Sequence, residues 1–100
     1  MTTNTDHRQD AAATLERFTA AVERAPGSPA RDVLLAECAS LSTAIRAFHM
    51  EAIRFRMFNV DRAISRGDVP LDDGDRTTFA EVRRHLEAAG FHTRSHQAPS

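Results

Sequence analysis

The sequence predicts an all-α protein of three helices, with a central helix long enough to need a second copy of the chain beside it. Three observations carry this expectation. Apolar residues recur at helical spacing in three separate stretches. No Gly or Pro lies between Pro29 and Gly67. The second half of that uninterrupted stretch is apolar on two faces, and one neighbour covers only one of them.

The first helix is expected to open at Asp6, where Gln9 three residues later completes a capping-box pattern. Ala11, Leu15, Phe18, Val22 and Ala25 then form one apolar stripe, with Glu16, Arg17, Glu23 and Arg24 off it. Ala25-Pro26-Gly27 ends the helix. Residues 1–5 are polar and are expected to be disordered.

Ser28-Pro29 is a start signal, because Ser caps orphan N–H groups and Pro at the first helical position sacrifices no hydrogen bond. The connection is tight, so the first two helices should lie antiparallel. Read as one element to Arg66, the second helix is a rod of about 57 Å. Gly67 suits the left-handed residue that closes it. Leu34, Cys38, Leu41, Ile45 and Phe48 share one side of its first half. Further along, Ile53, Met57, Val60 and Ile64 form one stripe, while Phe48, Phe55 and Phe58 lie nearly opposite. Phe48, Ile53, Phe55, Met57, Phe58, Val60 and Ile64 are therefore the candidate interface, and the pattern leaves open which stripe meets the partner.

Residues 67–75 read as an acidic loop holding Asp68, Asp72, Asp73 and Asp75. Thr78 with Glu81 fits a capping box for the last helix, whose stripe is Phe79, Val82, Leu86 and Ala89 and whose stop is Gly90. That helix is expected on the C-terminal half of the rod. A short strand over 91–95 is the competing reading of the tail, and residues 97–100 should be frayed.

Composition narrows the function classes. One hundred residues suit a single helical domain spanning 1–100. A net charge of −1 gives no global pull toward nucleic acid or an anionic membrane. All thirteen basic residues are Arg, and alanine is abundant, as in the coding bias of a GC-rich bacterial genome. Arg richness alone therefore marks no Arg cluster. Cys38 is the sole cysteine, which fits a reducing compartment. With no signal-peptide pattern and no apolar run long enough to span a bilayer, the cytoplasm is the expected location.

Few residues suggest chemistry. His49 and Arg56 stand seven apart at nearly one angle on a largely apolar stripe, where both need satisfaction. They could form an anion or ligand site inside a bundle, with Arg56 as a forked donor, or a polar contact between subunits. Cys38 sits mid-stripe and reads as a buried apolar thiol. His92 and His96, with His85 before them, have ligand spacing only if the helix passes Gly90. The acidic loop fails as a calcium loop, since Val69, Leu71 and Ala80 would fall at ligand positions. No motif for haem, di-iron or phosphate binding is present, and no nucleophile–base pattern, so no cofactor and no enzyme activity is expected. Arg83 and Arg84 lack the short preceding turn of a helix-turn-helix. The resulting expectation is a small interaction module, associating with itself or with another protein. The alternative is a ligand- or DNA-responsive regulator.

Overall fold

A computed structural model of the protein describes residues 4–91. It is all-helical, with α1 over Asn4–Arg24, α2 over Pro29–Ala47, α3 over Met50–Arg66 and α4 over Asp73–Ala88. The single rod expected over 28–66 is two helices, so the described residues hold four helices and not three. The largest dimension of the molecule is 38 Å, well short of that rod.

The break falls at Phe48 and His49, neither of them a residue that ends helices by its own chemistry. Phe48 adopts the left-handed conformation at φ 49° and ψ 46°. Its N–H donates to Ile45 O at 2.9 Å, and the His49 N–H donates to Ala44 O at 3.1 Å. This pair of bonds is the Schellman closure, normally built on Gly. His49 then starts α3, its Nδ1 accepting from the Ala52 N–H at 3.3 Å. A non-Gly residue at positive φ costs roughly 1–2 kcal/mol. The offset is packing: folding back brings Leu34, Leu41 and Ile45 of α2 into one core with Ile53, Met57 and Val60 of α3. Much of the apolar surplus that called for a second copy is thus consumed inside one chain.

Other boundaries follow local chemistry. The Ser28 hydroxyl accepts from the Arg31 N–H at 3.0 Å, and Arg31 Nη1 donates to Ala25 O at the end of α1. Gly67 closes α3 at φ 71°. Helix α4 begins earlier than Thr78. Asp72 is its N-cap, and Asp72 and Asp75 exchange side-chain and backbone hydrogen bonds in a capping box. The last three residues of the acidic loop, 73–75, therefore belong to the first turn of α4, where carboxylates meet the positive end of the helix. Asn4 and Asp6 lie within α1, so Asp6 is not its cap. A second Schellman closure at Gly90 turns Phe91 back into the core. Residues 92–95, proposed as a strand, and 97–100, proposed as frayed, lie outside the described residues.

Helix α1 is the centre of the assembly. It packs antiparallel on α2 and, more extensively, antiparallel on α4, where the Phe18 and Phe79 rings meet at 5.0 Å. The last helix thus docks mainly on the first, and not on the second half of the expected rod. Helix α3 packs on α2. The α3–α4 seam is closed by side chains, namely the Asp61–Arg83 ion pair and the Arg54 guanidinium 5.9 Å from the Phe91 ring. Among the described residues, no helix is long and apolar enough to cross a membrane.

Candidate functional site: the outward face of α3

At about 100° per residue, Ile53, Met57 and Val60 fall on one side of α3 and Glu51, Phe55, Phe58 and Arg62 within about 60° of one another on the other. The first three are fully buried in the chain's own core, and Ile64 is half-buried. Phe55 and Phe58 project outward with 57% and 56% of their surface exposed. Of the seven candidate interface residues, those two alone are fully presented to solvent. Phe48 is half-buried at the turn, beneath the Arg8 guanidinium.

Arginines flank the two rings. The Arg56 guanidinium lies 5.0 Å from the Phe55 ring centre and that of Arg62 lies 5.7 Å from Phe58. At such exposure each cation–ring contact contributes about 0.5–1 kcal/mol. Beside the rings, a cavity of about 280 Å³ opens at the α3–α4 seam, lined by Arg54, Phe55, Met57, Phe58, Asp61 and Phe91. Burial holds the Asp61 carboxyl above the usual carboxylate range, and the adjacent Arg83 opposes that shift.

His49 and Arg56 do not form a joint site. The His49 ring is exposed and caps α3. Arg56 reaches back across the hairpin, its Nη1 donating to both Glu37 carboxylate oxygens at 3.1 and 3.3 Å. Asn59 Nδ2 donates to Glu37 Oε1 at 3.1 Å as well. Glu37 is the anion that the forked donor of Arg56 holds, and it ties α2 to α3. In an unbroken helix the two would stand about 28 Å apart, which is why the sequence did not pair them.

The remaining candidates are equally engaged. Burial pushes the Cys38 thiol up to about 11 against a hydrogen bond with Thr19 that lowers it, and Glu37 adds a smaller upward push. A thiol held protonated by burial packs as a small apolar group. Arg83 pairs with Asp61, and Arg84 approaches Glu81 at 3.7 Å. The second of these is an exposed pair that water can separate. His92 and His96 lie outside the described residues.

No protein-family model, curated protein or solved structure matches this chain.

Proposed function

We propose that the protein is a small interaction module that associates with a second copy of itself through the outward face of α3. The observation that carries this is the pair of exposed phenylalanines one turn apart, on a helix whose opposite face is already buried. Aromatic side chains flanked by arginine are the composition that anchors protein interfaces.

Charge supports a second copy as the occupant. If two α3 helices cross antiparallel about a point between Phe55 and Phe58, Phe55 meets Phe58 of the other copy twice over. The same register sets Glu51 opposite Arg62. The Glu51 side chain is 84% exposed and pairs with Arg54 at 3.2 Å on the same helix, and Arg62 has no carboxylate partner among the described residues. The face is thus self-complementary in shape of sequence and in charge, as a two-fold interface requires.

Light scattering coupled to size exclusion over a concentration series tests the reading. The wild-type chain should weigh as a dimer at high concentration, and Phe58→Asp as a monomer with unchanged helicity. Glu51→Arg and Arg62→Glu should each weaken pairing, and the two together should restore it. A wild-type chain that stays monomeric at millimolar concentration would overturn the proposal.

A further inference from the structure

The antiparallel pairing of α1 and α4 brings the first turns of one helix to the last turn of the other. His7 and Asp10 stand one helical turn apart on α1, so they share a face, and His85 reaches them from α4. One ligand atom from each of the three lies within 4.8 Å of the other two. Ligands at 2.0–2.1 Å from a tetrahedral Zn²⁺ are about 3.3 Å apart, so the three ligand atoms need draw together by no more than about 1.5 Å.

A second observation points the same way. The Nδ1 atom of His7 is buried and has no hydrogen-bond partner. Buried polar atoms are almost always satisfied, and coordination through that nitrogen would supply its missing partner. The three side chains make no hydrogen bond or ion pair elsewhere among the described residues, so no competing contact must be broken. His85 also sits at the negative end of the α4 dipole, which favours a cation there.

We propose that His7, Asp10 and His85 form a binding site for a divalent transition-metal ion of the Zn²⁺ class, stapling the start of α1 to the end of α4. Two imidazoles and one carboxylate select such an ion over Ca²⁺ or Mg²⁺, which take oxygen donors. Three protein ligands leave a coordination position for water. The half-buried histidines and exposed Asp10 keep that side open to solvent.

The test is titration of ZnCl₂ into the full-length, EDTA-stripped chain, followed by calorimetry and by the thermal midpoint from circular dichroism. The expected result is saturable 1:1 uptake and a midpoint that rises with zinc and returns with EDTA. Co²⁺ in place of Zn²⁺ should give the visible absorption of a low-coordinate nitrogen–oxygen site. His7→Ala and His85→Gln, folded by far-ultraviolet dichroism, should each weaken uptake roughly tenfold or more, since even outer-shell partners of metal ligands matter that much. A His92→Ala/His96→Ala variant should bind as the wild type does, which separates this site from capture by the tail. Absence of saturable uptake, or uptake lost in the tail variant but indifferent to His7→Ala, would overturn the proposal.

Discussion

Raising the pH isolates one buried group in this protein with unusual clarity. The chain has no Tyr and no Lys, the side chains whose ordinary range overlaps that of a thiol. Cys38 is therefore the one side chain that titrates between pH 9 and 11. It is fully buried, and its thiol is pushed from 9.0 to about 11, chiefly by loss of hydration. Below pH 9 the thiol is protonated whether the chain is folded or not, and stability is insensitive to it. Above pH 9 the unfolded chain loses the proton first, so it binds fewer protons than the native state and stability falls as pH rises. With these two values the loss is on the order of 1 kcal/mol at pH 10 and about 2 kcal/mol at pH 11. Urea unfolding followed by far-ultraviolet dichroism at pH 8, 10 and 11 measures it. Cys38→Ala should begin less stable, through lost packing, but stay level across the same range. A wild-type curve that is flat to pH 11, or a Cys38→Ala curve that falls in parallel, would refute the burial argument.

Two further substitutions probe the backbone and the hairpin. Gly67→Ala should lower stability by about 1 kcal/mol with an unchanged urea slope, because φ is 71° and nothing lies within 4 Å of the added carbon. A neutral result would mean that the left-handed closure of α3 is not held. Glu37→Gln, Arg56→Met and their combination form a double-mutant cycle across the α2–α3 hairpin, with an expected coupling of about 1 kcal/mol for this partly buried pair. Strict additivity would show that the contact contributes nothing to the fold-back.

Elements closed by strong local chemistry were legible in the sequence. Ser28-Pro29, Gly67 and Gly90 act where spacing places them, because capping and left-handed closure depend on a few adjacent residues. The split of residues 53–64 into two faces was also readable from angle alone, and it separates the buried Ile53, Met57 and Val60 from the outward Phe55 and Phe58. The bend at Phe48 was not readable, since neither it nor His49 carries a breaker's chemistry and the left-handed turn is imposed by the core that forms around it. The start of α4 was misplaced because two capping patterns lay six residues apart, and the one built on Asp72 adds a turn. Contacts that depend on the fold-back or on helix pairing, Arg56 with Glu37 and His7 with His85, have no signature along the chain.

The bend has a consequence for how the molecule could be dissected. A peptide covering α2 and α3 would carry every residue of the hairpin but only part of the core that rewards the bend, since Leu15, Phe18, Phe79 and Leu86 of α1 and α4 would be gone. Removed from α1 and α4, such a fragment should straighten toward a single rod, whereas α4 carries its own start and stop and should keep its limits. Within one chain, therefore, some joints are written where they occur and another is enforced by the company it keeps.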